Sequence, residues 1–149
     1  MTTNIRAANL EDVEQLSELM DLYRIFYRQS SDVEQAKAFL TERITLSESV
    51  IFVAEQDGIM VGFTQLYPLF SSVQLKKMWL LNDLFVHSDA RKQKIGIALI
   101  DRAKMLCIDS VNCGGLLLET EKTNAVGNSL YPKTGFVLDE ENNYYCWST

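Results

Sequence analysis

The chain has 149 residues, 47% hydrophobic and 23% charged, which suits one compact core and excludes a disordered or fibrous chain. Its net charge of −6 argues against a binder of nucleic-acid backbones and is compatible with a cationic small-molecule partner. Cys107, Cys113 and Cys146 show no Cys-x-x-Cys spacing and His87 is the lone histidine, so we expect reduced thiols and no metal.

Ile5 to Ala8 reads as a first strand, after which Asn9 caps a helix carrying Glu11 and Asp12 in its first turn. Val13, Leu16, Leu19, Met20, Tyr23, Phe26 and Tyr27 follow at helical spacing and should lie mainly in the core. Ser31-Asp32-Val33-Glu34 has the form of a capping box, and Val33, Ala36, Phe39, Leu40 and Ile44 form the stripe behind it. Val50 to Glu55 and Ile59 to Leu69 read as two strands joined by the hairpin turn Asp57-Gly58. A loop around Ser71 and Ser72 precedes the apolar run Met78 to Val86.

Helical spacing returns over Ile95 to Ser110, with Gly114-Gly115 read as the end of that helix and Leu116 to Leu118 as a buried strand. A short helix from about Asn124 to Tyr131 and strands around Phe136 to Leu138 and Tyr144 to Trp147 complete the pattern. The order β-α-α-β-β-β-α-β-α-β-β predicts a single mixed α/β domain over residues 1–149, antiparallel at first, with one βαβ unit after Met78. Met1 to Leu10 has no apolar leader core and no apolar run approaches the ~20 residues of a membrane span, so we expect a soluble cytoplasmic protein. Tyr144-Tyr145-Cys146-Trp147 would be costly as an exposed edge, and a homodimer is expected on that ground.

Chemistry concentrates between Leu81 and Ile100. A strand runs into the turn Asp89-Ala90-Arg91-Lys92-Gln93-Lys94, and a helix opens at Ile95-Gly96-Ile97. Helix N-termini present unpaired N–H groups and partial positive charge, which suit phosphate. Arg91, Lys92 and Lys94 add three cations to that turn, and Gly96 permits close approach of a ligand. A nucleotide-binding α/β protein is a rival reading, but the turn has neither a Walker lysine-serine pair nor a second glycine.

The stretch Asp89 to Leu99 resembles the coenzyme A signature of GNAT acetyltransferases, Arg/Gln-x-x-Gly-x-Gly/Ala. Arg91 and Gly96 stand at its first and last positions, and Lys94 stands where the family has its first glycine. Leu118-Glu119-Thr120, Asn124 and Leu130-Tyr131-Pro132-Lys133-Thr134-Gly135-Phe136 resemble the family's late strand, helix and Leu-Tyr-x-Lys-x-Gly-Phe element. The resemblance implies a mainly antiparallel twisted sheet of about six or seven strands with about four helices and a splayed central parallel pair. It also implies acetyl-CoA as co-substrate and an amine as acceptor. Backbone around Phe85 and Val86 would pair with the pantetheine arm, and amides from Gln93 through Ile95 and Gly96 to Ile97 would hold the pyrophosphate. Asn124 would bond near the pantetheine or the acceptor.

An amine acceptor must lose a proton, and Asp83 and Glu119 are the candidate bases, directly or through water. A backbone N–H near Val86 would stabilise the oxyanion. Tyr131 matches the tyrosine that many family members use to protonate the departing thiolate, and Pro132 directly after it should kink or end the helix. Leu81-Asn82-Asp83-Leu84-Phe85-Val86 resembles the corresponding strand of diamine and polyamine acetyltransferases and of members that acetylate small basic proteins. A small cationic amine is therefore the expected acceptor. The alternatives are a protein lysine or N-terminus, and an acyl-CoA-binding regulatory module without catalysis.

Overall fold

A computed structural model describes residues 2–149. The chain separates into two compact units, divided between Leu118 and Glu119. The first unit carries a five-stranded sheet of β1 (Asn4–Ala7), β2 (Val50–Gln56), β3 (Ile59–Ser71), β4 (Lys76–Val86) and β5 (Cys113–Leu117), in that spatial order. Neighbours are antiparallel except β4 and β5, which are parallel. The β2–β3 turn places Asp57 at φ 50° and Gly58 at φ 77°, the left-handed pair whose twist matches a tight hairpin. Parallel strands need a crossover, and α3 (Ile95–Asp109) supplies it between β4 and β5.

Helices α1 (Val13–Phe26) and α2 (Val33–Thr45) cover one face of the sheet. Leu16, Leu19 and Met20 of α1 and Ala36 and Leu40 of α2 pack there on Ile51, Val53, Met60, Phe63 and Phe85. Side chains alternate along a strand, so Gly62 faces the other side, where an added Cβ would meet Leu99 and Ile95 of α3 and lie 2.9 Å from the Phe85 carbonyl oxygen. The missing side chain is what lets α3 seat against β3.

Asn9 caps the first turn as expected, with its side chain accepting from Glu11 N and Asp12 accepting from Asn9 N. The α2 cap is Asp32, not Ser31, and it accepts from Gln35 N. Ser31 Oγ instead donates to the buried Asp21, which also accepts from Asp32 N and thereby ties α1 to the start of α2. Phe26 is 53% exposed and is not a core residue. Gly114-Gly115 lies inside β5, and α3 has already closed at Ser110. A Cβ at Gly114 would stand 2.7 Å from Met78 Sδ, so β5 needs glycine to lie against the β4 side chains.

The three thiols are not all free: Cys107 and Cys113 form a disulfide across the α3–β5 turn, while Cys146 is free and exposed. The turn folds the last helical turn back onto the first residue of β5, with the two Cα atoms 5.6 Å apart.

The second unit contains α4 (Ala125–Lys133) and no strand. The strands expected at Phe136 to Leu138 and Tyr144 to Trp147 do not form, so the sheet has five strands and not six or seven. Apolar pattern is not enough, because a strand needs a partner ladder and a lone two-stranded ribbon is marginal in water. No helix among the described residues is long and apolar enough to cross a membrane.

Candidate functional site

The parallel pair opens where chemistry is expected. β4 and β5 pair at Lys77↔Cys113, Trp79↔Leu116 and Leu80↔Leu117, and there β5 ends while β4 continues to Val86. On its other side β4 carries a bulge, since Gln65↔Asp83 is followed by Leu66↔Leu81 and leaves Asn82 unmatched. A bulge bends its strand and tightens the local twist, and this one lies just beyond the last β4–β5 pair. The result is a length of β4 without a β5 partner, suited to pair with an extended, amide-bearing chain.

Beyond Val86 the chain forms the basic turn. His87 Nδ1 accepts from Asp89 N and caps the short 3-10 turn Ser88–Ala90, a structural role as expected of a loop residue. Lys92 and Lys94 both sit at φ 62°, flanking Gln93, and turns that alternate in this way can gather successive N–H groups into an anion-binding concavity. No side chain caps α3, so the first-turn amides of Ile95, Gly96 and Ile97 stay available, Ala98 N being the one that reaches Lys94 O. Arg91 Nε donates to Val86 O at 3.2 Å, joining turn to strand. Gln56 Nε2 donates to Gln93 Oε1 at 2.8 Å and to Thr3 Oγ1 at 2.9 Å, anchoring the turn to the end of β2.

The left-handed Lys94 is the glycine-like geometry at the position where the family signature has glycine. A side chain there costs about 1–2 kcal/mol. Lys94→Gly should therefore raise stability, by up to about 1 kcal/mol after the larger unfolded-state entropy of glycine is set against the relief. The urea midpoint measures this, and an unchanged or lower midpoint would contradict it.

A second feature lies on the α1–α2 side of β4. Asp83 is only 5% exposed, yet it is hydrogen-bonded throughout. Gln65 Nε2 donates to its Oδ2 at 2.8 Å and Asn82 Nδ2 to its Oδ1 at 3.1 Å. Burial raises its carboxyl above the usual range, and hydrogen bonds from Gln65, Asn82 and Tyr23 oppose that rise. Tyr67 on β3 is pushed up to about 12, first by burial and then by the negative charge of Asp83. Tyr23 packs edge-on against Phe63 and Phe85 and donates to Asn82 O at 3.4 Å. A desolvated carboxylate with a raised pKa, next to an opened strand, has the properties of a general base.

In the second unit, Asn124 Oδ1 caps α4 by accepting from Gly127 N, and its Nδ2 donates to Thr120 Oγ1. The helix runs through Pro132 and ends one residue later at Lys133. Phe136 N donates to Tyr131 O and Gly135 N to Pro132 O, with Gly135 at φ 93°, which is a Schellman closure. Its hydrophobic contact is Tyr131 against Phe136, ring centroids 5.9 Å apart. The Leu-Tyr-x-Lys-x-Gly-Phe element is thus a helix stop that fixes the Tyr131 ring. A Cβ at Gly127 would lie 3.1 Å from that ring, so glycine clears its place. Glu119 is exposed.

The first unit therefore brings together Asp83, the backbone of Phe85 and Val86, and Arg91, Lys92, Gln93, Lys94, Ile95, Gly96 and Ile97, while Glu119, Asn124 and Tyr131 belong to the second. Phe85 itself turns its ring into the core, 8% exposed, leaving its backbone for any pairing role. Sequence reasoning missed Gln65, Ser49 and Tyr67 around Asp83, and Gln56 behind the basic turn. The available signal was a glutamine inside the apolar run of β3, where an amide needs a buried partner.

Residues 47–138 match the model of the acetyltransferase (GNAT) domain family. An uncharacterized N-acetyltransferase, YhfO, of Bacillus subtilis (strain 168) is 44% identical over 144 residues, covering 96% of this chain and 95% of that protein. A crystal structure of a probable acetyltransferase superposes with a TM-score of 0.92 at 35% identity, over 98% of this chain and 97% of that one. An aminoglycoside acetyltransferase, meta-AAC0020, from an uncultured soil metagenomic sample and in complex with sisomicin, has the same fold. Its TM-score is 0.84 at 16% identity, over 99% of this chain and 96% of that one.

Proposed function

The chain is an acetyltransferase of the GNAT family, and from that premise we propose that it moves the acetyl group of acetyl-CoA onto a primary amine, a small cationic one such as a diamine or polyamine. The observation that carries this reading is the open length of β4, with the buried Asp83 carboxylate on it and the uncapped α3 amides following it. Acetyl-CoA supplies the activated acyl group; everything else falls to the chain. Backbone at Phe85 and Val86 pairs with the pantetheine arm, and the Gln93–Ile97 amides with Arg91, Lys92 and Lys94 hold the pyrophosphate.

An ordinary alkyl ammonium near pKa ~10.4 keeps its proton about 3 units above neutrality, worth roughly 4 kcal/mol. Asp83 takes that proton, with the exposed Glu119 as the second candidate, directly or through water. A backbone N–H near Val86 faces the developing oxyanion. Tyr131 gives its proton to the departing thiolate, and Asn124 serves by capping the helix that carries it. The acidic chain, with a net charge of −6, supports a cationic acceptor. The bound sisomicin of meta-AAC0020 supports only the capacity of this fold to take polycationic amines.

We also read the protein as a cytoplasmic homodimer working as one acetyltransferase domain. Tyr144, Tyr145 and Trp147 are 75%, 91% and 86% exposed, an aromatic tail that a second copy would cover. Sedimentation should show a dimer at micromolar concentration.

Acceptor choice is tested by incubating the protein with acetyl-CoA and separate diamines, polyamines, aminoglycosides, amino acids and lysine or N-terminal peptides. N-acetylated diamine or polyamine should dominate by mass spectrometry. Dominant peptide acetylation would move the acceptor to a protein, and coenzyme A binding without any acetylated amine would indicate a regulatory module.

A further inference from the structure

Gln65 is fully buried on β3, where a leucine would pack without an unmet polar group. Its amide is nonetheless satisfied at both ends. Ser49 Oγ donates to Gln65 Oε1 at 2.8 Å, and Gln65 Nε2 donates to Asp83 Oδ2 at 2.8 Å. An ionised carboxylate only accepts, so the polarity of the chain is fixed: the Ser49 hydroxyl must donate, and the amide must turn its nitrogen to Asp83.

Resting on the reading of Asp83 as the base, we propose that Gln65, gripped by Ser49, is a positioning residue that holds the Asp83 carboxylate in one orientation and keeps it ionised for proton transfer. Oδ2 is committed to Gln65, which leaves Oδ1, held by Asn82 at the longer 3.1 Å, as the oxygen for the proton. In the step, the ammonium N–H bond breaks and an O–H bond forms at Oδ1, while the Gln65 hydrogen bond to Oδ2 persists. Asn82 gives a weaker hold, because it is itself exposed at the bulge and makes the longer bond. Gln65 is locked by burial and by Ser49.

The groups facing the carboxylate come from every element around it. Tyr23 approaches from α1 and Tyr67 from β3; Arg43 of α2 and Glu48, before β2, act on Tyr67 with opposite sign. Arg43 is itself paired with Glu42 and Glu48. Gln65, Asn82 and Tyr23 are therefore the neutral donors that offset the burial of Asp83, and of the two amides Gln65 makes the shorter bond.

The test is a carbon-13 NMR titration of the Asp83 carboxyl in the full chain, assigned with Asp83→Asn, for wild type, Gln65→Leu and Ser49→Ala. Loss of a charge-accepting hydrogen bond should move the Asp83 midpoint upward by about one pH unit or more in Gln65→Leu. Ser49→Ala should move it the same way by less, since it frees the amide without removing it. A packing role alone would lower the melting temperature and leave the midpoint where it is. An unshifted midpoint in folded Gln65→Leu overturns the proposal. If that variant does not fold, Ser49→Ala decides alone: an upward shift supports the proposal and an unchanged midpoint overturns it. The titration needs no acceptor, so it stands or falls separately from Asp83 as the base, which Asp83→Asn kinetics decide.

Discussion

Asp83→Asn is expected to lower kcat for acetyl transfer by about 10²-fold or more, the usual contribution of a general base. The same change should make the protein more stable at neutral pH. Burial raises the Asp83 carboxyl above its ordinary value in the fold, so the folded state favours the protonated form. Its favourable contribution is then fully present below the unfolded carboxyl value of 3.8 and is lost as pH rises through the higher folded value. Wild type at neutral pH therefore bears the whole cost of a buried carboxylate, which an asparagine does not. Thermal melts of the two proteins from pH 7 down to pH ~3.5 should show the variant's advantage shrinking and closing. Equal activity, or a stability difference that does not depend on pH, would remove Asp83 from the mechanism. A group that weakens the fold and speeds the reaction is what a stability–activity trade-off looks like at a single residue.

Tyr131→Phe should reduce kcat by about 10²-fold and leave KM for acetyl-CoA near wild type, because it removes an interaction made only as the thiolate departs. The aromatic contact with Phe136 and the Schellman closure at Gly135 survive this substitution, so the helix end should keep its shape. Steady-state kinetics with varied acetyl-CoA measure the split. A raised KM with unchanged kcat would make Tyr131 a binding residue and leave the thiolate to water.

Much of this architecture was legible in the sequence. The period of Val13, Leu16, Leu19 and Met20 marks the buried face of α1, and Asn9 and Asp57-Gly58 announce a cap and a hairpin turn through their own local chemistry. The basic turn and the start of α3 were readable for the same reason, since cations and a helix start are properties of a few adjacent residues. What escaped the sequence depends on partners distant along the chain. The left-handed Lys94 carries no letter that signals positive φ, as glycine would. Gln65 looks like one more strand residue until β4 brings Asp83 opposite it. Cys107 and Cys113 meet only because α3 folds back onto β5. Tyr144 to Trp147 has the composition of a strand, but the second unit offers it no ladder.

Acetyl-CoA and an amine should be consumed together, and the stoichiometry of the reaction measures this. Free thiol and N-acetylated product should be quantified in the same reaction with a polyamine acceptor, alongside a reaction without amine. One thiol should be released per amine acetylated, with only slow release when the amine is absent. Thiol release at the same rate without amine would contradict it, because the acyl group would then be passing to water.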